Sequence, residues 1–315
     1  MADLLVVGSV ALDSVATPFG KVEEALGGSA TYFSYAASFF TRVRLVATVG
    51  GDFPEGHVGL LQARGVDVSG LQRTADGRTF RWAGQYGYDL NEARTLDTQL
   101  NVFANFRPVL SEGLRRVPYL FLANIDPELQ LEVLRQMVER PRLVALDTMN
   151  FWIQSKREAL LRVLREVDVV TINDAEARQL AGEPNLIRAA RAITGMGPRV
   201  VVVKRGEYGA LMRGEDAFFV APAYPLESVF DPTGAGDTFA GGFMGSLASA
   251  DARDAVSMRR AVMYGSVMAS FTVEDFSLNR LLRLTPAEVA ERVAAFENLT
   301  RVDGPRPEES GHRGR

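Results

Sequence analysis

The segment Asp231-Pro-Thr-Gly-Ala-Gly-Asp237 leads directly into an apolar helical pattern that continues to about Ala250. Pro232 cannot occupy a helix interior, and Gly234 and Gly236 permit backbone dihedrals that other residues avoid. These residues therefore predict a tight turn that ends at a helix N-terminus. Unpaired N–H groups and the positive end of the helix dipole make such a terminus a binding site for an anion.

Asp237 lies in the first turn of the predicted helix. A carboxylate beside a bound phosphate would repel it, so a useful role there is that of a general base, which takes a proton from an attacking hydroxyl. The alternative is a helix-capping acid, which stabilises by about 0.5–2 kcal/mol, and this segment alone leaves both open. Gly241, Gly242 and Gly245 each cost the helix about 1 kcal/mol, so we expect them to pack closely against a backbone or a ligand.

Short β-rich runs alternate with helical patterns along most of the chain, which predicts an α/β fold with a mainly parallel sheet. Strands are predicted at 4–10, 43–49, 119–123, 143–146, 167–172, 200–203 and 210–212. Helices are predicted at 54–64, 127–139 and 156–165, from 174, and at 236–250, 252–271 and 286–296.

Two stretches, at about 12–25 and 74–104, interrupt this alternation. The first is polar and strand-like, and the second places Phe80, Trp82 and Tyr86 among glycine, aspartate and asparagine residues. Alternating aromatic and turn residues predict hairpins. An inserted small sheet of this kind would act as a lid that excludes water from a cleft, and a surface hairpin with packed aromatic residues is the alternative.

The 315-residue chain carries a formal net charge of −4, which offers no electrostatic basis for a nucleic-acid or membrane-surface partner. It has no cysteine and two histidines, which excludes disulfides, thiolate metal sites and multi-histidine metal sites. No P-loop motif, signal peptide or membrane-spanning run is predicted, and we expect a cytoplasmic location. We expect one domain over residues 1–302 and a disordered tail over 303–315, which has no apolar anchor.

The segment Asp231–Asp237, with the Thr238-Phe239 and Gly241-Gly242 pairs that follow it, resembles the C-terminal signature of the ribokinase-like family, also called the PfkB carbohydrate kinases. Four further segments resemble motifs of this family in the same order along the chain. They are Asp13 after the first strand, the double glycine Gly27-Gly28, Asn173-Asp174-Ala175-Glu176, and Lys204-Arg205-Gly206-Glu207-Tyr208-Gly209. Each segment alone has a structural explanation, but five matches in the family's order are improbable by chance.

The resemblance implies a ribokinase-like three-layer sandwich with a small β-strand lid, and a kinase that uses ATP and Mg²⁺. It implies that Asp237 is the general base and that the transferred phosphoryl group is stabilised by the backbone N–H groups of Gly234, Ala235 and Gly236. The implied substrate contacts are Asp13, Gly27 and Gly28. The implied ATP contacts are Asn173, Lys204, Gly206, Gly209 and Thr233, and the implied metal contact is Glu176, through water. For Lys204, a solvated lysine at a strand end is an equal alternative.

Departures from the family pattern concern the substrate. Ala11 and Tyr32 stand where ribokinase and many of its relatives have asparagine, which weakens the case for ribose. We expect a sugar or sugar-like small molecule as the phosphate acceptor. The alternative is an adenosine-type nucleoside kinase of the same fold, in which Tyr32, Phe103 and Phe106 would stack on the base. A non-catalytic ligand-binding protein is a third hypothesis, and exposed lid strands would allow a homodimer.

Overall fold

Apolar runs become the central strands of the molecule. In the computed structural model, which describes residues 2–215 and 217–301, every residue of Leu4–Val7 is buried. Alternate residues of this strand pack into two separate hydrophobic clusters. A strand that buries side chains on both faces lies in a sheet that is covered by helices on both sides.

The described part of the chain forms thirteen strands in two sheets. The strands are β1 (Leu4–Val7), β2 (Ala11–Thr17), β3 (Gly20–Gly27), β4 (Val43–Gly50), β5 (Asp67–Thr74), β6 (Phe80–Tyr86), β7 (Ala93–Gln99), β8 (Tyr119–Leu122), β9 (Leu143–Asp147), β10 (Val169–Asn173), β11 (Val200–Lys204), β12 (Ala210–Arg213) and β13 (Phe218–Ala221). The large sheet has the order β13-β12-β11-β10-β9-β8-β1-β4-β5, and the small sheet has the order β3-β2-β6-β7.

Helices cover both faces of the large sheet. The helices of the described ranges are α1 (Ser29–Ala37), α2 (Glu55–Ala63), α3 (Pro127–Gln136), α4 (Asn150–Ser155), α5 (Arg157–Leu164), α6 (Asp174–Ala181), α7 (Leu186–Thr194), α8 (Ala235–Ala250), α9 (Ala255–Thr272), α10 (Asn279–Arg283) and α11 (Pro286–Leu299). One hydrophobic cluster contains side chains of α1, α8, α9 and α11, and the other contains those of α5, α6 and α7. The result is the expected three-layer sandwich. None of these helices has both the length and the apolar character that crossing a bilayer requires.

The large sheet is mainly parallel, as predicted. β1 pairs in parallel with both β4 and β8, and parallel pairing continues through β9, β10 and β11. β12 and β13 add an antiparallel edge. The strand order runs outward from β1 in both directions, so the order reverses at β1. Ligands of such sheets bind in the crevice at the carboxyl ends of the strands next to this reversal.

The two stretches that interrupt the alternation form the small sheet. The hairpin predicted for the second stretch is confirmed, since β6 pairs antiparallel with β7, and the strand-like first stretch also forms a hairpin, in which β2 pairs antiparallel with β3. A parallel pairing of β2 with β6 joins the two hairpins into one sheet.

Some elements differ from the sequence-based prediction. β1 ends at Val7 and not at Val10, because the chain turns there and enters the small sheet at Ala11. The prediction also lacked α1, whose nine residues are all buried and therefore show no amphipathic pattern. It lacked β5 and α7 as well. The predicted tail, 303–315, lies outside the described residues.

The glycines of α8 allow three helices to approach closely. A Cβ atom at Gly241 would lie 2.5 Å from the carbonyl oxygen of Phe33 in α1, and one at Gly242 would lie 2.8 Å from the carbonyl oxygen of Tyr264 in α9. These glycines therefore pack against backbone, which is one of the two explanations expected from the sequence.

A pair of Gly→Ala substitutions tests this packing. Gly241→Ala should lower the free energy of unfolding by about 1–3 kcal/mol, because the backbone that it would overlap belongs to a packed helix. Gly59→Ala in the exposed face of α2 meets no atom within 4 Å and should be neutral or stabilising by about 0.4–1 kcal/mol. Urea unfolding measures both, and equal effects would contradict the proposed contact.

Candidate active site

The segment Asp231–Asp237 forms the predicted turn. Gly234 has a φ of 76° and α8 begins at the next residue, without a side-chain cap. A Cβ atom at Gly234 would overlap the ring of Tyr32, so only glycine fits there. The carboxylate of buried Asp231 accepts hydrogen bonds from the N–H of Thr233 at 2.9 Å and the N–H of Ser277 at 3.3 Å, which fixes the start of the turn.

Both glycines of the turn keep a free backbone donor. The N–H of Ala235 donates to the carbonyl oxygen of Pro232 at 3.1 Å. The N–H groups of Gly234 and Gly236 have no backbone acceptor within the part of the chain that the structure describes. Gly236 also lies beside the Lys204 ammonium group, so its N–H is the donor of this helix N-terminus that is best placed for an anion.

Asp237 follows in the first turn of α8 and is partly buried. The pKa of its carboxyl is raised to about 7; burial is the largest cause, the negative charge of Asp147 contributes to the rise, and the positive charge of Lys204 opposes it. A carboxylate with a pKa near neutrality can take a proton from a hydroxyl group at the pH of most cells.

Lys204, at the end of β11, reaches the glycine turn. Its ammonium group donates to the Asp147 carboxylate at 2.6 Å, and its side chain is only 17% exposed. A Cβ atom at Gly236 would lie 3.0 Å from the Lys204 nitrogen. The alternative of a solvated strand-end lysine is therefore wrong, because the side chain is buried at the turn and paired.

Asp147 is a site residue that the sequence analysis missed. It ends β9, and its carboxylate accepts hydrogen bonds from the N–H of Thr148 at 2.7 Å and the hydroxyl of Thr171 at 2.9 Å. These two bonds aim its remaining lone pairs at Lys204. Its position at the carboxyl end of a buried strand was the sequence signal that could have revealed it.

Asn173 and Glu176 form a reciprocal capping box at the start of α6. The Asn173 side chain accepts from the N–H of Glu176 at 2.8 Å, and the Glu176 carboxylate accepts from the N–H of Asn173 at 2.9 Å. Burial raises the pKa of Glu176 to about 7, and the charge of Asp147 adds to this rise. The box holds Glu176 close to the pair formed by Lys204 and Asp147.

Asp13 lies against the double glycine. Its carboxylate accepts from the N–H of Gly28 at 3.3 Å, and a Cβ atom at Gly27 would overlap that carboxylate. Asp13 is 7% exposed, and burial raises its pKa to about 7; the hydrogen bond from Gly28 opposes the rise and the charge of Asp237 adds to it. The effect of Asp237 on this pKa indicates that the two carboxylates lie near each other.

A cleft of about 570 Å³ lies beside Lys204 and Gly236. It is lined by the turn 206–209 between β11 and β12, by residues 88–91 at the tip of the β6–β7 hairpin, and by α9 residues that include Ser266 and Ala269. Gly206 and Gly209, predicted on sequence grounds, both line it. The side chain of Asn91 at the hairpin tip packs against Gly206, so the small sheet covers this cleft.

The small sheet also touches the glycine turn. The hydroxyl of Tyr86 in β6 lies 3.3 Å from the hydroxyl of Thr233. Burial raises the pKa of Tyr86 to about 12. Tyr86 was noted in the sequence only as one of several aromatic residues of the inserted stretch, and nothing local to it indicated this contact.

Two aromatic residues considered for base stacking serve the core instead. Phe106 is only 2% exposed, and its ring stacks on that of Phe103 with centroids 5.7 Å apart. Phe103 also stacks on Phe80 at 5.3 Å. The rings of Phe103 and Phe106 stack on each other and the buried ring of Tyr32 packs against Gly234, so the structure does not support base stacking on these three side chains.

The arrangement thus brings a helix N-terminus, a lysine, a carboxylate with a raised pKa and a covered cleft to one edge of the sheet. A model of the pfkB family of carbohydrate kinases matches residues 1–283. The chain belongs to this PfkB family. It is therefore a phosphotransferase, and the family resemblance of the sequence is confirmed.

Individual relatives agree with this assignment. A cytidine kinase of Thermococcus kodakarensis is 32% identical over 248 residues, which are 78% of this chain and 88% of that protein. A nucleoside kinase of Methanothermobacter thermautotrophicus is 26% identical over 288 residues, which are 87% of this chain and 90% of that protein. A putative ribokinase II of E. coli, solved in complex with ATP and Mg²⁺, covers 94% of this chain and 100% of its own at a TM-score of 0.76 and 18% identity, which shows a shared fold.

The charges around Asp237 predict opposite pH shifts in two variants. Lys204→Met removes the charge that lowers the pKa of Asp237, so the acid limb of the kcat/KM profile should move to higher pH. Asp147→Asn removes a charge that raises this pKa, so the limb should move to lower pH. Profiles of both variants beside the wild type check the signs, and shifts in the same direction would contradict the assignment.

Proposed function

We propose that this PfkB kinase transfers the γ-phosphoryl group of ATP to a hydroxyl group of a nucleoside. The observation that carries the proposal is the position of Asp237, whose raised pKa suits a general base and which lies in the first turn of α8, beside the Gly236 N–H group and the Lys204 ammonium group. Phosphoryl transfer depends mainly on such positioning and charge stabilisation.

ATP fits the cleft beside Lys204. A volume of about 570 Å³ accommodates a nucleotide, and the turn with Gly206 and Gly209 opens onto it. Lys204 and the N–H of Gly236 would contact the γ-phosphate, with Thr233 and Asn173 near the other phosphates. The 18%-identical E. coli protein with bound ATP and Mg²⁺ has the same fold, which supports the choice of nucleotide.

Magnesium fits this site as an ion held by phosphates and water. The described residues contain no cluster of three carboxylate or imidazole groups that could hold a metal directly. Mg²⁺ commonly keeps several waters and binds through one or two carboxylates and substrate phosphates. Glu176, held by its capping box, would anchor that water shell, and the bound ion would neutralise phosphate charge.

Each residue of the site would have a separate role in the reaction. Asp13 would bind acceptor hydroxyl groups and orient the reacting one. Asp237 would take its proton as the acceptor oxygen bonds to the γ-phosphorus and the bond from phosphorus to the ADP oxygen breaks. Lys204 and the N–H of Gly236 would stabilise charge on the phosphoryl oxygens during transfer. The small sheet would act as a lid that excludes water.

The acceptor is proposed to be a nucleoside ahead of a free sugar. The sequence placed sugars first, but the relatives that match most of the chain are a cytidine kinase and a nucleoside kinase. Ala11 also replaces a polar group that ribokinase places near its sugar. A sugar acceptor is the second candidate, which the family description as carbohydrate kinases favours. The non-catalytic hypothesis loses its basis, since Asp237 and the glycine turn are intact.

The homodimer and the cytoplasmic location stay predictions. β7 is an edge of the small sheet, and six of its seven residues are exposed. Exposed edge strands offer unpaired backbone groups to a second chain. Pairing between two such edges would join two lids.

Replacing the proposed base gives the first functional test. Asp237→Asn should reduce kcat by about 10²- to 10⁴-fold, because general base catalysis is lost, while ATP binding is kept. Glu128→Gln, in the exposed first turn of α3, is the matched control and should have wild-type kcat. Near-wild-type turnover by Asp237→Asn would remove Asp237 as the base.

An acceptor screen gives the second test. ATP consumption should occur with cytidine, adenosine or inosine at lower KM than with ribose. Asp13→Ala should raise the KM for the accepted nucleoside far more than the KM for ATP, because Asp13 lies on the acceptor side of the turn. Preference for free sugars would select the second candidate, and an unchanged acceptor KM would exclude Asp13 from the pocket.

A further inference from the structure

We propose that the indole ring of Trp82 is the platform on which the nucleoside base stacks and the residue that separates nucleosides from free sugars. This inference rests on the proposed nucleoside kinase activity and names the part of the site that would recognise the base. It replaces the hypothesis that Phe103 and Phe106 stack on the base, since these rings are occupied in the core.

Strand register places Trp82 beside the acceptor carboxylate. In the parallel pairing of β2 with β6, Asp13 and Trp82 are direct partners. Directly paired residues project from the same face of a sheet, and residues two apart on one strand share that face. Tyr86 therefore projects from this face too, and its hydroxyl reaches Thr233 of the glycine turn. The face that carries Trp82 is the one that faces the site.

The indole lies across the sheet. Its Nε1–H donates to the hydroxyl of Thr95 in β7 at 3.3 Å. A Cβ atom at Gly84 would overlap the ring atoms Cη2, Cζ2 and Cζ3, so the six-membered ring covers the backbone of Gly84. A Cβ atom stands roughly perpendicular to its sheet, so a ring that blocks this position lies over the strand. One ring face then rests on the sheet and the other points away from it, toward the acceptor side.

The neighbouring aromatic rings of the small sheet already have partners. Phe80 stacks on Phe103, and the hydroxyl of Tyr86 contacts the glycine turn. Among the described residues, Trp82 takes part in no ring pair with another aromatic side chain. A partly buried tryptophan without an aromatic partner, one strand away from the carboxylate that would hold ribose hydroxyls, suits a planar base attached to that ribose.

Base stacking predicts a specific kinetic signature. The base is remote from the reacting hydroxyl, so stacking contributes equally to the ground state and the transition state and changes KM rather than kcat. Loss of stacking on an aromatic residue corresponds to about a 5- to 150-fold weaker affinity per base. A free sugar has no base, so its KM should not change when the stacking ring is lost.

The experiment compares Trp82→Ala, Trp82→Phe and Gly84→Ala in the full-length enzyme. We expect the nucleoside KM to rise about 5- to 150-fold in Trp82→Ala with kcat within about twofold, and a smaller rise in Trp82→Phe, which keeps a ring. Gly84→Ala keeps the tryptophan but displaces its indole, so it should resemble Trp82→Ala. The KM for ATP and any residual turnover of ribose should stay at wild-type values in all three.

Fluorescence adds a readout that a purely structural role would not produce. The chain contains two tryptophans, Trp82 and Trp152. Titration with cytidine or inosine should quench the emission of the wild type and of the control Trp152→Phe, and should leave that of Trp82→Phe unchanged. Ribose should cause no quenching in any of them.

The outcomes separate this inference from the proposed function. Nucleoside turnover with an unchanged KM in Trp82→Ala, or equal losses of kcat for all acceptors, overturns the platform and leaves the nucleoside kinase intact. Quenching that persists in Trp82→Phe also overturns the platform. Turnover of ribose without turnover of any nucleoside overturns the proposed function and the platform together.

Discussion

The ion pair between Lys204 and Asp147 is the interaction on which the active site depends. Asp147 ends β9 and Lys204 ends β11, so the pair spans β10, which lies between them in the sheet. The hydroxyl of Thr171 and the N–H of Thr148 orient the carboxylate, and the carboxylate in turn holds the ammonium group against the glycine turn. Removal of one partner would leave a buried charge uncompensated, which is costly in a site that excludes water.

Burial around this pair raises the pKa values of the other acidic residues of the site. Asp13, Glu176 and Asp237 each have a pKa near 7, and burial is the largest cause in each case. The small sheet packs on this region through Tyr86, which contacts the glycine turn, and through Asn91, which contacts the loop at Gly206. A cover of this kind would serve the proposed phosphoryl transfer in two ways, because it would exclude water and would keep a carboxylate basic enough to act at neutral pH.

The sequence predicted the parts of the structure that depend on local pattern. Apolar runs identified the parallel strands, and the glycine turn before α8 followed from Pro232, Gly234 and Gly236. It did not predict α1, because a wholly buried helix has no polar face, nor the pairing of Asp147 with Lys204, which joins strand ends far apart in the chain. The positions of Tyr86 and Trp82 on one face of the small sheet follow from the register of β2 with β6, and pairing between distant strands is not encoded in any local motif.

We propose that the partly buried Asp237 is the base at the site of phosphoryl transfer. The most direct test is a titration of its carboxyl group by carbon-13 NMR, with the resonance assigned by its loss in Asp237→Asn. We expect a pKa of about 7 in the free enzyme. A pKa close to that of an ordinary exposed aspartate, about 4, would contradict the role of Asp237 as the base.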